Sequence, residues 1–268
     1  MIVLHGRGAV YGELWYDDDP DTTAGIDILV YRRHRGSRAE AGGIAAPRVL
    51  TDLACPRDDI MAAFGANCRY DIRRADSRDG LDAEFVDHTA ERLAEFRAFY
   101  DVFAAQKAIG GADPAWLLAA SQSRQLALSA ARWRGQVIVW HGYVLSGATA
   151  GLQYSCSLFR GDADEVRAVT GRANRWLHWQ DMLRFKSNGY RRYDWGGLFA
   201  AERSPEEAGI NAFKLSFGPR VEPAWDRAVA LTPRGFAWLY LRRAWLAAAQ
   251  RWPRSKAHCA PIQRSCQS

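Results

Sequence analysis

Two short segments in the second half of the chain carry residues whose types and spacing could bind and transfer a chemical group. Residues 188–197 read NGYRRYDWGG, and residues 209–218 read GINAFKLSFG. In the first segment aromatic and polar residues alternate as in a strand, and Gly196 and Gly197 then allow backbone conformations that side chains forbid. In the second, apolar residues recur at helical spacing around Lys214. The pattern predicts a phosphate-binding lysine beside a glycine-made opening, or else a solvated lysine beside an ordinary turn.

The two segments resemble the FemAB-like branch of the GNAT acyltransferase superfamily, in which a strand of the form G-x-x-x-Y-D-x-G-G precedes G-I-x-x-F-K-x-x-F-G. Residues 68–75, CRYDIRRA, are similar to the R-x-x-I-R-K-A segment that closes the first half of such proteins. The resemblance implies an α/β (α+β) fold with a GNAT-like mixed, mostly antiparallel sheet flanked by helices. It also implies one of two donors, acyl-CoA or aminoacyl-tRNA, and the motifs do not choose between them.

Transfer of an acyl group to an amine requires a neutral amine, a group that accepts its proton, and donors aimed at the oxyanion. No covalent enzyme intermediate is needed, and the chain contains no G-x-S-x-G elbow. We expect Asp194 to accept the proton because it belongs to the matched strand and lies beside the glycines. The alternative is a structural carboxylate paired with Arg191 or Arg192. Further candidates for the proton transfer are Tyr154, Tyr193 and Glu202.

Donor binding is expected at two places. The resemblance assigns phosphate or carboxylate binding to Lys214, close to Gly196 and Gly197. The second place is a predicted helix over residues 172–186, because a helix start exposes unpaired N–H groups that attract anions. In GNAT proteins the equivalent helix start receives the CoA pyrophosphate, and residues 167–171 carry R-x-x-x-G where the family has R/Q-x-x-G-x-G/A. This makes candidates of Gly171, Arg172 and Arg175; the alternative places both arginines as solvent-facing charges.

Charge and cysteine content narrow the classes of partner. The formal net charge of +6, supplied mainly by arginine, favours anionic partners such as nucleotide phosphates, tRNA or acidic membrane surfaces, and we expect no DNA binding. A GC-rich coding background would also enrich arginine. The five cysteines form no C-x-x-C pair, so neither a zinc knuckle nor a disulfide framework is indicated, and no metal is expected. His141 and His178 are predicted to be structural histidines.

The chain shows no signal-peptide core and no apolar run near the roughly 20 residues of a membrane span. The expected location is the cytoplasm, without integral membrane contact. The predicted organisation is a shortened N-terminal GNAT-like half (1–85), a GNAT-like acyltransferase domain (86–232), a basic aromatic amphipathic helix (233–252) and a disordered tail (253–268). The helix either packs on the domain or touches a membrane surface. Within the second domain we expect helices after Thr89 and Asp113, three strands over 126–133, 136–145 and 148–159, and a closing strand over 221–231.

The leading hypothesis is an N-acyltransferase that moves an acyl group from acyl-CoA to an amine of a small molecule, sugar nucleotide or peptide by direct aminolysis, in cell-envelope or natural-product biosynthesis. One alternative is an aminoacyl-tRNA-dependent peptidyl transferase. Another is a catalytically silent binding module. The acyl group, the acceptor and the oligomeric state do not follow from the sequence.

Overall fold

The computed structural model describes residues 1–6, 8–16, 18–36, 41–158 and 164–251, the last seven by their backbone alone. In chain order the elements are β1 (Ile2–His5), β2 (Val10–Trp15), β3 (Ile28–His34), β4 (Ile44–Ala45), β5 (Arg48–Asp52), α1 (Arg57–Ala62), α2 (Ala66–Arg78), β6 (Leu81–Val86), α3 (Ala90–Lys107), α4 (Pro114–Gln122), β7 (Leu126–Trp133), β8 (Gln136–Ser146), β9 (Thr149–Ser157), α5 (Asp164–Ser187), β10 (Arg192–Asp194), α6 (Pro205–Leu215), β11 (Arg220–Glu222), β12 (Trp225–Ala230) and α7 (Pro233–Arg251).

The chain divides into two compact units. The first comprises residues 1–46, 113–123 and those from 224 onward, and the second comprises residues 47–112 and 124–223. This division differs from the predicted boundaries. Residues 47–85 belong with the later part of the chain because they supply β5 and β6 to its sheet, and α4 belongs with the N-terminal strands.

The first unit is built on a sheet with the strand order β1-β2-β3-β12-β4. Leu14, Leu29 and Tyr31 form its apolar cluster. Beside that cluster, the buried carboxylate of Glu13 accepts hydrogen bonds from Trp116 Nε1 of α4 at 2.9 Å and from Arg32 at 3.0 Å. A buried carboxylate is tolerated when it is paired in this way.

The second unit has a seven-stranded sheet in the order β11-β5-β10-β9-β8-β7-β6. Its described strands pair antiparallel except for β9 and β10, which are parallel. Consecutive residues of a strand point to opposite faces. On β8, Trp140 contacts Phe96 of α3 while His141 stacks on His178 of α5, so α3 and α5 cover opposite faces.

Most of the predicted elements are present, and the predicted fold class is confirmed. Strands β7, β8 and β9 match the three predicted strands closely. Helix α3 begins after Thr89, whose hydroxyl accepts from Arg92 N, and Asp113 caps α4 through the N–H groups of Ala115 and Trp116. The aliphatic and aromatic periodicity of these segments therefore sufficed to place them.

Two predicted elements are wrong. The closing strand over 221–231 is two strands, β11 and β12, in different sheets, because Pro223 interrupts the ladder between them. The helix predicted to begin at Arg172 is longer, since α5 spans Asp164–Ser187 and the residues before Gly171 are also helical. The tail over 253–268 lies outside the described residues.

Among the described residues, no helix combines the length and the apolar composition that crossing a membrane requires.

Candidate functional site

Strands β9 and β10 separate after a short parallel pairing. Arg192 pairs with Thr149, Tyr193 with Ala150, and Asp194 with Gly151. Beyond this point β9 continues to Ser157, whereas β10 ends. The edge of β9 from Leu152 onward therefore leaves its pairing with β10. We call the region between Leu152–Ser157 and the chain after Asp194 the split.

A β-bulge in β9 lies at the mouth of the split. Gly142 of β8 pairs with Tyr154 and the next residue, Tyr143, pairs with Leu152, which leaves Gln153 as an extra residue in β9. A bulge bends its strand, increases the local twist and re-aims backbone groups, and bulges are frequent beside active sites. Gly142 has no side chain to collide with the Tyr154 ring, since a Cβ there would lie 3.2 Å from it.

Asp194 fixes the turn that follows β10. Its buried carboxylate accepts hydrogen bonds from the N–H groups of Gly196 at 2.9 Å and Val49 at 3.4 Å. One buried cation beside it is Arg48, which the sequence did not suggest and whose Nε lies 3.9 Å from the Asp194 carboxylate. Gly196 has a φ of +84°, a backbone conformation that side chains disfavour. The Tyr-Asp-x-Gly part of the motif is thus explained by the geometry of one turn.

Helix α6 holds the loop beyond that turn. Lys214 Nζ donates a hydrogen bond to the Gly197 carbonyl at 2.7 Å. Asn211 accepts from Phe199 N and donates to Phe199 O, both at 2.9 Å, and donates to Glu202 as well. The predicted neighbours Lys214, Gly196 and Gly197 are therefore brought together at one side of the split.

The prediction of an anion-binding helix start at Gly171 and Arg172 is wrong. Gly171 and Arg172 lie inside α5, where backbone N–H groups are bonded within the helix, so no free helix start exists there. Nε and Nη2 of Arg172 donate to the two carboxylate oxygens of Asp79, at 2.6 and 2.9 Å, and this pairing raises the pKa of Arg172. The true first turn of α5 carries Asp164 and Glu165.

Arg175 does face the site. Its guanidinium lies 4.9 Å from the Phe213 ring centroid on α6, and its Nε lies 3.6 Å from the Asp71 carboxylate. His178 contacts the same Phe213 ring at 5.6 Å. The pKa of His178 is held well below its ordinary value by burial and by the positive charges of Lys214 and Arg175, among others. Arg175 and Lys214 thus both lie close enough to His178 to lower its pKa.

A buried hydrogen-bonded chain runs behind the split on the α5 face. His141 Nδ1 lies 2.7 Å from Asp181 Oδ2, and the Tyr143 hydroxyl donates to that same oxygen. The hydroxyl oxygens of Tyr143 and Tyr193 are 2.8 Å apart, and that of Tyr193 is 2.6 Å from His178 Nδ1. All five side chains are fully buried. A chain of this kind fixes side-chain positions, because breaking any link leaves a buried polar group unpaired.

Burial and the charge of Asp181 raise the pKa of Tyr143 and of Tyr193 well above the ordinary value. Both phenols are therefore protonated at neutral pH, and His178 is uncharged. Asp181 and Tyr143 also border a cavity of about 220 Å³ at the end of α5, together with residues of β6, β7 and β8. The hydrogen-bonded side chains thus run from this cavity to His178, whose ring centroid lies 4.8 Å from that of Trp195, the residue after Asp194.

His141, His178 and Asp181 offer ligand atoms within 4.8 Å of one another, a spacing that a metal ion could bridge. The two imidazole rings, however, are stacked, with centroids 3.9 Å apart and planes inclined by 21°. A ring nitrogen binds a metal in the plane of its ring, and nearly parallel planes do not converge on one ion between them. The arrangement fits two stacked histidines, each hydrogen-bonded to other side chains, better than a metal centre.

Two other predicted residues, Tyr154 and Glu202, are not part of the buried hydrogen-bonded chain. Tyr154 is on the α3 face, where its ring contacts Phe96 and Tyr100 edge-on at 5.6 and 5.0 Å. Glu202 accepts a hydrogen bond from Asn211. The roles assigned to Asp194, Tyr154, Lys214, Arg175, Gly196 and Gly197 stay predictions.

Sequence reasoning missed Arg48 and Asp181. Asp181 could have been found, because Asn174, His178, Asp181 and Phe185 recur along one stripe of α5 while His141 and Tyr143 alternate on β8. Arg48 carried no signal, since its partner is distant in sequence.

Comparisons with known proteins rest on structure alone. No family model matches the chain, and no curated protein matches it. FemX superposes with a TM-score of 0.57 at 13% identity, over 73% of this chain and 63% of FemX, so this chain spans less than two thirds of FemX. The C-terminal domain of a protein named as a lysylphosphatidylglycerol synthetase from Agrobacterium fabrum gives 0.54 at 18% identity, over 90% and 84% of the two chains.

A GCN5-related N-acetyltransferase from Kribbella flavida is a more distant match, with a TM-score of 0.35 at 12% identity over 75% and 66% of the two chains. The superpositions on FemX and on the synthetase domain, both with TM-scores above 0.5, indicate the fold alone. The chain has a GNAT-type fold of the FemAB-like kind.

Proposed function

We propose that the second unit is an acyltransferase that passes an aminoacyl group from an activated ester to an amine by direct aminolysis, with the reacting carbonyl in the split. The observation that carries this proposal is the parting of β9 from β10 directly beside the bulge at Gln153. Backbone N–H groups released from a ladder are donors that a developing oxyanion would bind. Because they are fixed by the sheet, they need no reorganisation during the reaction.

Aminoacyl-tRNA is the donor that we favour over acyl-CoA. The first turn of α5 carries Asp164 and Glu165, and carboxylates there oppose the binding of a pyrophosphate. FemX and a domain named for lysylphosphatidylglycerol synthesis both superpose with TM-scores above 0.5, and a lysyl group is an aminoacyl group. The net charge of +6 also suits a polyanionic donor. Acyl-CoA is the competing donor, since GNAT-type acetyltransferases share the fold.

Lys214 and Arg175 are proposed to bind the donor next to its ester. Arg175 lies 4.9 Å from the Phe213 ring centroid, Lys214 is the next residue after Phe213, and both charges lower the pKa of His178. Asp194 is proposed to position the Gly196 turn, because its carboxylate is engaged by two N–H groups and a guanidinium. For proton transfer we propose Tyr154, which follows the bulge directly in β9.

The experiment compares the thermal stability of the full chain with aminoacyl-tRNA, uncharged tRNA, CoA and acetyl-CoA. A ligand that binds only the folded state stabilises it, by about 2.7 kcal/mol at a concentration of 100 times Kd. We expect a shift with aminoacyl-tRNA that exceeds the shift with uncharged tRNA. Transfer of a labelled amino acid from tRNA to a mixture of amines and amino sugars is then measured.

A shift with acetyl-CoA alone would replace the proposed donor by acyl-CoA. Binding of aminoacyl-tRNA without faster loss of its label would support a silent binding module instead. The Tyr154→Phe variant separates these cases further, because it should keep the thermal shift and lose turnover.

A further inference from the structure

Helix α7 is apolar on two sides, and contacts within the first unit cover one of them. On the inner side Gly235 packs against the Asp27 carbonyl, which a Cβ would approach to 2.2 Å. Trp238 packs edge-on against Tyr11, with ring centroids 5.2 Å apart. The side chain of Thr232 accepts from Gly235 N and donates to the Asp27 carboxylate, which anchors the helix start. These contacts fix which side of α7 faces away from the unit.

The outer face of α7 consists of Phe236, Ala237, Tyr240, Leu241 and Ala244, all exposed. Phe236 is 65% exposed, Tyr240 73% and Leu241 65%, the highest values among the large apolar side chains described. Their spacing places them on one stripe of the helix. Scattered apolar residues on a surface are ordinary, but a continuous stripe of this kind marks an interaction surface.

The charge of α7 identifies the partner. The helix contains four arginines, Arg234, Arg242, Arg243 and Arg251, and no aspartate or glutamate. Arg243 is exposed, and the Arg242 guanidinium lies 5.6 Å above the Trp238 ring. If a second copy of α7 covered the outer face, it would bring a second set of the same charges into contact. A surface that offers apolar depth and negative charge together satisfies both the stripe and the arginines.

We propose that α7 binds in the plane of an anionic phospholipid bilayer, with Phe236, Tyr240 and Leu241 in the headgroup region and Arg243 at the lipid phosphates. Arg243 follows Phe236 by seven residues and therefore lies beside the apolar stripe, where its long side chain reaches the phosphates while the apolar side chains insert. Aromatic rings such as those of Phe236 and Tyr240 suit this depth. The proposal concerns the first unit and does not depend on the transfer reaction assigned to the second.

The test is cosedimentation of the full chain with phosphatidylcholine vesicles and with vesicles that also contain phosphatidylglycerol. Binding should require phosphatidylglycerol and weaken as salt rises, because the Debye length shortens. Each arginine near an anionic surface contributes about fivefold to partitioning. The Arg243→Gln variant should therefore bind about fivefold more weakly. The Phe236→Ser/Tyr240→Ser/Leu241→Ser variant should lose at least a factor of about 10, since it removes three inserted side chains.

Tyr70 and Val102 serve as the matched control, because they are 59% and 50% exposed apolar residues of the second unit. The Tyr70→Ser/Val102→Ser variant should bind vesicles like the unchanged protein. Circular dichroism checks that every variant is folded, which is expected because the substituted side chains are exposed.

Four results would overturn the proposal. The first is equal binding to neutral and anionic vesicles. The second is vesicle binding that survives the triple serine substitution. The third is a concentration-dependent dimer that the triple substitution abolishes while no variant binds vesicles, which would assign the outer face to a second copy of the chain. If the arginine variant loses tRNA binding while vesicle binding is absent throughout, the arginines belong to a nucleic-acid contact and the proposal also fails.

Discussion

Replacing Asp194 by asparagine should destabilise the second unit and not only affect a reaction. Asp194 and Arg48 are both fully buried, with Arg48 Nε 3.9 Å from the carboxylate. Asparagine keeps an oxygen that accepts from Gly196 N, but it removes the negative charge opposite the guanidinium. Breaking a buried ion pair by removing one partner costs about 3–5 kcal/mol, because the other charge stays buried. We expect Asp194→Asn to lower the free energy of unfolding by about 3 kcal/mol.

A double-mutant cycle isolates the pair. Arg48→Met should also be destabilising, because it leaves the carboxylate charge of Asp194 buried. The double variant Arg48→Met/Asp194→Asn removes both charges and should lose less than the sum of the single losses. Coupling energies of contacting buried groups are about 0.5–3 kcal/mol, and we expect a value near the upper end.

Urea-induced unfolding of the four proteins, followed by tryptophan fluorescence, measures the cycle. Trp195 follows Asp194 in the chain and is fully buried, so its emission should report on this region. Single losses below about 1 kcal/mol, or additivity within about 0.5 kcal/mol, would refute the assignment of Asp194 as a buried structural anchor.

Three further predictions concern α5 and the two lysines. Lys214→Met should lower the rate of transfer at least tenfold. Lys186→Met also removes hydrogen bonds to backbone carbonyls and should cost about 1–3 kcal/mol of stability, but it should leave turnover intact. Equal turnover of the two variants would argue against donor binding by Lys214. Gly171→Ala should stabilise the protein by about 1 kcal/mol without loss of transfer, because Gly171 is inside a helix and an added Cβ would meet open space. Impaired transfer in the activity assay would instead support a phosphate contact at Gly171. In the unfolded chain this histidine binds a proton below about pH 6.5, whereas buried His178 in the folded protein does not, because its pKa is lowered. The free energy of unfolding should therefore fall as the pH drops below that value, by at most about 1.4 kcal/mol per pH unit from this group. Urea unfolding of His178→Gln at pH 7 and pH 5 should show a smaller loss, and an unchanged loss would contradict the pKa assignment.

Several elements of both units could be predicted because their signals are local. Apolar and polar residues alternate along β7, β8 and β9, and tight turns separate these strands. The N-cap residues Thr89 and Asp113 indicate where α3 and α4 begin. The start of α5 could not be predicted in the same way. Its first turns are polar and include Gly171, which favours a loop in isolation, whereas buried Val169, Thr170 and Ala173 hold the segment as helix.

The candidate site was predictable in part. The paired glycines and Lys214 do lie together, because the turn and the helix that carry them are joined by a short loop. The partner of Asp194 was not predictable, since Arg48 reaches it from β5 through a sheet pairing. The buried chain through Tyr143 and Asp181 likewise depends on how α5 packs on β8, which local patterns do not specify.

Hydrogen–deuterium exchange with a stable donor analogue tests the central claim most directly. The analogue is tRNA that carries its amino acid through an amide bond, so that it binds without being consumed. We predict slower exchange of amides in Leu152–Ser157 and Gly196–Phe199, with β6 and β7 unchanged. If the analogue binds and leaves both segments unchanged, the split does not hold the acyl donor.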